Sequence, residues 1–359
     1  MSLRDQLVAR IAATGPMSVA DYMAECLAHP VHGYYTTRDP LGAAGDFTTA
    51  PEISQMFGEL VGLALAQTWM EQGLGEVTLA ELGPGRGTLM VDILRATRGV
   101  AGFHDAVRVH LVETSPELRK KQRTALAGVA VTHHASVATL PDAPLLLVAN
   151  EFFDALPVRQ FVRQGGFWRE RVVGLADGAL TFGLSGPVMV PELGGRDDVR
   201  DGGLVELCPA VPAIMEEIAG RIAAHGGAAL VIDYGGWRSL GDTLQALKDH
   251  AFDDPLAHPG EADLTAHVDF EALARAAPAL THSALTTQGA LLRALGIDAR
   301  AHRLAQGLSG AALDRHLAAH RRLTHAQEMG TLFKALALVA PGAPLPPGFA
   351  PHSPKGPET

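Results

Sequence analysis

Cysteine, aromatic residues and basic charge are all scarce in this 359-residue sequence. There are two cysteines, Cys26 and Cys208, with no CxxC pair, no HExxH and no Cys/His cluster at zinc spacing. A disulfide scaffold and a structural metal site are therefore excluded as first readings, and no metal is assigned. Twelve Phe, four Tyr and three Trp leave aliphatic side chains and Ala to fill the interior. Lys and Arg number 29 against 39 Asp and Glu, a net charge of −10. That balance argues against nucleic acid as the partner. No apolar run approaches the ~20 residues needed to cross a bilayer. Met1-Ser2-Leu3-Arg4-Asp5 leads into no signal-peptide core, so no membrane insertion is expected and the reading is a protein of a reducing compartment.

What is present is a 47% hydrophobic, 19% charged chain, able to bury a large core. Ser18 and Asp21 have capping-box spacing, and Val19, Tyr22, Met23, Cys26 and Leu27 follow on one helical face, making Cys26 a core thiol. Thr49 and Glu52 form a second capping box, after which Ile53 to Trp69 traces a helix. Val77–Leu82, Val107–Glu113, Ala130–Thr132 and Leu145–Ala149 read as strands alternating with helices, the pattern of a mostly parallel sheet covered on both faces. Beyond residue 155, Gln160–Arg163, Phe167–Leu175 and Ala179–Phe182 read as a meander turned at Gly165-Gly166 and Asp177-Gly178. A strand follows at Ala228–Asp233, then a His- and Ala-rich stretch, and a returning strand at Thr331–Val339. The expected division is 1–75 as N-terminal helices and lid, 76–235 as core with meander, 236–325 as a mainly helical insertion, 326–340 as the returning strand, and 341–359 as a tail. Seven prolines in that tail predict a poorly ordered end.

Glu81-Leu82-Gly83-Pro84-Gly85-Arg86-Gly87 sits where the first strand hands over to a helix. Glycines there let a ligand approach the backbone closely. The dinucleotide fingerprint needs a third Gly three positions after the second, but position 88 is Thr. The spacing acid-x-Gly-x-Gly-x-Gly instead resembles the first motif of S-adenosylmethionine-dependent methyltransferases. That cofactor has no phosphate; it presents an ammonium, a carboxylate, a sulfonium and two ribose hydroxyls. Glu81 suits the cationic end, and Glu113, at the end of the second strand, is placed to accept the hydroxyls. Gly83, Pro84, Gly85, Gly87, Thr88 and Asn150 complete the cofactor group. Asp46, Phe47, Thr49 and Glu52, in the loop and helix start before the turn, are read as a lid over it, with an ordinary helix cap as the alternative for Thr49 and Glu52. Arg86 fits a solvated surface as well as a ligand contact.

With these motifs placed, the sequence resembles the MidA-like family of methyltransferases over residues 15–340. The resemblance rests on Gly45-Asp46-Phe47-Thr48-Thr49-Ala50-Pro51-Glu52-Ile53-Ser54-Gln55, Glu81 through Leu89, and Asn150-Glu151-Phe152-Phe153-Asp154-Ala155-Leu156-Pro157. Ile232-Asp233-Tyr234-Gly235 and His267-Val268-Asp269-Phe270 add to it. It implies an α/β, Rossmann-like, seven-strand class I fold with N-terminal helices and a helical insertion. It also implies S-adenosyl-L-methionine as cofactor, a protein substrate and, as in the family's mitochondrial branch, symmetric dimethylation of an arginine on a subunit of respiratory complex I. The short stretch before the first matching helix predicts a bacterial cytoplasmic protein, with a mitochondrial matrix location only if a presequence has been removed. A homodimer is one arrangement the sequence allows.

Guanidinium stays protonated at physiological pH and is a poor nucleophile until carboxylates orient it. Glu151 and Asp154 follow the fourth strand directly, at the carboxyl edge where ligands bind in open α/β sheets, and are the leading catalytic candidates. Asp233 ends another apolar strand on the expected same edge and joins them. Tyr234, His267 and Asp269 are read as substrate-binding. The alternatives are a methyltransferase with another protein or a small-molecule acceptor, and an assembly chaperone that binds the cofactor without turnover.

Overall fold

The computed structural model describes residues 1–37 and 48–353. Within it the chain forms two compact units: Met1–Phe47, Asp154–Val211 and Arg238–Asp269 in unit one, and Thr48–Phe153, Pro212–Trp237 and Phe270–Thr359 in unit two. The blocks expected from the sequence are thus interleaved, with the N-terminal block and the insertion each split between the units.

Unit two carries the main sheet: β1 (Val77–Leu82), β2 (Val107–Val112), β3 (Val131–His134), β4 (Leu145–Asn150), β5 (Gly227–Gly236) and β6 (Phe333–Val339). The order is β3-β2-β1-β4-β5-β6, with the first five strands parallel and β6 antiparallel to β5. Thr281–His282 and Thr286–Thr287 pair with the outer edge of β6 as a seventh strand in two pieces. This is the mostly parallel sheet that the alternation of strands and helices predicts, in the Rossmann-like seven-strand arrangement that the family resemblance implies. Every residue of β1 and of β4 is buried. Covered on both faces, β4 reads in sequence as a continuous apolar run from Leu145 to Ala149 and β1 as a mainly apolar one interrupted by Thr78 and Glu81, rather than as strict alternation.

Helix α1 (Gln55–Glu71) packs on α2 (Thr88–Ala96), the helix that leaves the glycine turn. Their approach depends on Gly58 and Gly62, one turn apart: an added Cβ would stand 2.6 Å from Cβ of Asp92 and 2.8 Å from Cα of Ile93. Beside this contact, Glu59 accepts from Arg95 and, through both carboxylate oxygens, from Arg300, while Arg95 also binds Asp92. The expected helix start is corrected here. Thr49 makes no side-chain cap; it opens only a four-residue turn, Ala50–Ile53, with Pro51 in its first positions. Ser54 then breaks the backbone into an extended conformation, and its hydroxyl, not that of Thr49, caps α1 by accepting from the Met56 amide. Glu52 bonds the Thr88 hydroxyl instead of closing a capping box.

In unit one, Arg159–Gln164, Phe167–Ala176 and Ala179–Val188 form the meander, with Leu204–Leu207 and Met17–Ser18 pairing alongside. Positive φ at Gly165, Gly166, Asp177 and Gly178 makes its two tight turns. Helices Leu3–Thr14 and Val19–Ala28 contribute Leu7, Tyr22, Met23 and Cys26 to this unit's core. The expectation of a mainly helical 236–325 also needs correction. Gln245–Lys248 pairs with Ala251–Asp253 and Asp263–Thr265 in a small antiparallel sheet; helices occupy only the part from Phe270 onward. The hairpin turns on Asp249 and His250, both at positive φ, with no glycine to mark it.

The expectation of a poorly ordered tail is corrected for residues 341–353, its last six residues lying outside those described. Leu345 and Phe349 pack on the core of unit two, and the Ala284 amide donates to the Ala350 carbonyl. No helix among the described residues is long and apolar enough to cross a membrane.

Replacing Gly62 by Ala would add about 1 kcal/mol of helix propensity, yet it drives a methyl into the Ile93 backbone, an overpacking cost of about 1–3 kcal/mol. Urea denaturation of Gly62→Ala is expected to show a net loss of stability; a gain would mean that α1 and α2 do not pack through this glycine.

Candidate active site

The site grows from the carboxyl end of β1. Glu81 is the second-last residue of that strand, and the turn after it uses Gly83, Gly85 and Gly87 at φ values of 60°, 52° and 86°. These are left-handed conformations that other residues adopt only at a cost. A Cβ on Gly83 would also lie 2.9 Å from the ring of Phe152. The Gly83 amide donates to the Val112 carbonyl at the end of β2 and that of Gly87 to the Pro84 carbonyl, so backbone bonds to the next strand and within the turn fix it, and α2 begins at Thr88.

Glu81 is buried and one of its carboxylate oxygens, Oε2, has no hydrogen-bond partner among the described residues. Burial pushes its carboxyl up to about 8, and the neighbouring charge of Glu113 acts in the same direction. Glu113 follows β2; its carboxylate accepts from the Ser115 amide at 2.7 Å and from the Gln122 side-chain amide at 3.3 Å. Burial raises this carboxyl as well.

At the end of β4, the Asn150 side-chain amide donates to Oε1 of Glu151 at 3.0 Å, and the Ala50 amide donates to the same oxygen at 2.8 Å. Glu151 itself sits at φ 53°, a strained position for a non-glycine residue directly after a strand. Such strain persists only where the surroundings over-determine it. The cause here is Asp233 on the neighbouring β5, fully buried, whose Oδ2 accepts from the Phe152 and Phe153 amides while Oδ1 accepts from that of Tyr234. Tyr234 packs edge-on against Phe333. Unit two thus brings together Thr49, Glu52, Glu81, Gly83, Pro84, Gly85, Gly87, Thr88, Glu113, Asn150, Glu151, Asp233 and Tyr234.

Asp154, His267 and Asp269 belong to unit one. Asp154 is buried, and its carbonyl accepts from the Ala266 amide. Near it the Tyr35 hydroxyl donates to both oxygens of Asp263; burial, then the charges of Asp263 and Asp154, raise the Tyr35 phenol well above its ordinary value. His267 donates its backbone amide to the Thr243 hydroxyl, and Asp269 accepts from the Ser239 amide. Asp46 and Phe47 lie outside the described residues.

Two residues of the site escape motif reading: Gln122 and His133. A usable signal existed for the first. Leu118 and Gln122 are the buried residues of the helix Pro116–Ala125, so a polar side chain occupies a position where the helical period demands an apolar one.

The chemistry of the group favours a ligand rich in donors. Among the described residues, Asn150 Oδ1, like Glu81 Oε2, is buried with no hydrogen-bond partner, and the group includes two acids whose charged forms burial disfavours. An ammonium and hydroxyls would satisfy such atoms; an ionised phosphate, which brings only acceptors, would leave Asn150 Oδ1 without a donor. A family model described as "Putative S-adenosyl-L-methionine-dependent methyltransferase" matches residues 60–289. The chain belongs to this family. S-Adenosyl-L-methionine is its cofactor and methyl transfer its reaction. Among relatives, a protein arginine methyltransferase, NDUFAF7, of zebrafish mitochondria (Danio rerio) is 37% identical over 94% of this chain and 87% of its own length. The human protein of that name is 39% identical over 82% of this chain and 73% of its own length. A likely methyl transferase from Burkholderia thailandensis, solved with S-adenosyl-homocysteine bound, has a TM-score of 0.82 and 29% identity, covering 96% of this chain and 93% of that one. The expected bacterial cytoplasmic location is overturned by the curated relatives, which are mitochondrial by name. The short sequence before the first helix was a poor guide to location.

Glu81 gives the site a measurable pH signature. Its folded value, about 8, lies above that of an unfolded glutamate, so its contribution to stability is complete below about pH 4.5 and is lost as pH rises toward 8. Without cofactor, Glu81→Gln should therefore be more stable than the parent protein near pH 8, the difference growing by up to about 1.4 kcal/mol per pH unit between those limits. Thermal melts from pH 5 to 9 that run parallel for the two proteins would contradict a buried, neutral Glu81.

Proposed function

We propose that this methyltransferase modifies an arginine of a protein client, a subunit of respiratory complex I, and that transfer proceeds to the symmetric dimethyl product. The observation that carries the reading is Glu151: a carboxylate at the carboxyl edge of the sheet, held at φ 53° and bonded through one oxygen to Ala50 and Asn150. The relatives named as protein arginine methyltransferases, at 37–39% identity, support the choice of acceptor.

The residues divide by task. Glu81 takes the cationic end of the cofactor, Glu113 its ribose hydroxyls, and Asn150 supplies a further acceptor; the glycine turn gives backbone access. Thr49 and Glu52, the latter tied to Thr88, line the approach to the turn, and Asp46 and Phe47 belong with them in the lid reading. When bound, the cofactor supplies an electrophilic methyl group. Glu151 accepts hydrogen bonds from the guanidinium, aligns one nitrogen and takes up the proton that nitrogen loses on methylation. Asp233 is a positioning residue, since its carboxylate holds the amides of Phe152, Phe153 and Tyr234 and so shapes the turn that carries Glu151. Asp154, Tyr234, His267 and Asp269 are proposed to meet the client. The two carboxylates and the histidine among these suit a cationic side chain and its peptide flanks.

Glu151→Gln keeps an oxygen for the Ala50 amide while removing the charge. Methyl transfer should fall by about 10²–10⁴-fold, with S-adenosylhomocysteine affinity in calorimetry changed by no more than about threefold. Mass spectrometry of complex I subunits from cells carrying the parent protein or this variant reads the product directly. Normal methylation in the variant refutes the role of Glu151, and an arginine mass unaffected by deletion of the protein refutes the client.

A further inference from the structure

We propose that Gln122, oriented by His133, is a positioning residue that ties the glycine turn to Glu113 and fixes that carboxylate for the ribose hydroxyls of the cofactor; the inference rests on the reading of Glu113 given above. Gln122 is fully buried in the helix Pro116–Ala125. Its side-chain nitrogen has two hydrogens and two acceptors, the Gly85 carbonyl at 2.7 Å and Oε2 of Glu113 at 3.3 Å. Its side-chain oxygen lies 3.0 Å from Nε2 of His133, in β3. The stem of Gln122 passes beneath Gly87, with its Cα and Cγ each 3.5 Å from where a Cβ would stand. One side chain thus touches the second and third glycines of the turn and the acid at the end of the next strand.

The orientation of the amide follows from this arrangement. Reversing it would press the oxygen of Gln122 against the Gly85 carbonyl and the Glu113 carboxylate, leaving three acceptors together with no hydrogen among them. With the nitrogen on that side, the oxygen needs a donor, and His133 supplies it through Nε2–H. Burial, aided by the charges of Arg119 and Arg123, lowers the basicity of His133, which favours the neutral ring with its hydrogen on that nitrogen. The other oxygen of Glu113 is fixed separately by the Ser115 amide. A carboxylate held from both sides has its remaining lone pairs aimed in one direction, which is what recognition of two adjacent hydroxyls requires.

Simple packing of a helix against the turn would also bury Gln122, and the hydroxyls of the ligand separate the two roles. Calorimetry measures dissociation constants of S-adenosylhomocysteine and of its 2′-deoxyribose analogue for the parent protein, Gln122→Met, His133→Phe and Glu113→Gln. The positioning role predicts that Gln122→Met weakens S-adenosylhomocysteine by about 10–100-fold but the deoxy analogue by less than about threefold, with the same pattern, smaller, in His133→Phe. His133 is only partly buried, so that variant reports even where Gln122→Met does not fold. Equal losses for both ligands, or no loss for S-adenosylhomocysteine, overturn the proposal. If Glu113→Gln discriminates between the ligands and the other variants do not, only the tie through Gln122 is refuted. If Glu113→Gln binds both ligands as the parent does, the ribose reading of Glu113 falls and the proposal with it.

Discussion

Carboxylates held out of water at one edge of a parallel sheet are the constraint on which the rest of unit two depends. Parallel strands all end on the same side, and the strands that end near the centre of this sheet each deliver an acid or amide there: Glu81 from β1, Glu113 after β2, Asn150 and Glu151 at β4, Asp233 from β5. Burying ionisable groups so close together opposes folding unless amides or a ligand compensate. The protein compensates some fully and others not. Asp233 receives three backbone amides, whereas one oxygen of Glu81 receives nothing from the described residues.

That inequality sorts structure from chemistry. An acid saturated by the backbone builds the turn it holds, and the strain at Glu151 is the visible result. An acid left partly unsatisfied, with its carboxyl pushed up by burial, stores a demand that only a cationic or hydroxyl-bearing ligand meets. Preorganisation of this kind is how a site binds a charged cofactor without rearranging on contact. The cost falls on the stability of the empty protein.

Much of this was legible in the sequence because its signals are local. The glycine turn, the apolar run of β4, the mainly apolar β1 and the acids at strand ends are each set within a few residues. What was not legible depends on contacts between distant segments. The break at Ser54 is accompanied by bonds from Thr88 to Glu52 and from Ala50 to Glu151, neither visible from a capping-box pattern. The hairpin at Asp249-His250 lacks the glycine that normally announces such a turn. Interleaving of the two units is likewise invisible along the chain, where nothing marks the passage from one unit to the other between Phe153 and Asp154. Gln122 is marked only by its place one turn after Leu118 on the buried helix face, a signal that motif spacing does not carry.

The claim most open to direct test is that cofactor binding ionises an acid which the empty protein keeps neutral. Calorimetric titration of S-adenosylhomocysteine at pH 7, repeated in buffers of different ionisation enthalpy, counts the protons exchanged. With Glu81 near 8 before binding, close to one proton should be released per site. A heat of binding independent of the buffer, or proton uptake, would contradict the account.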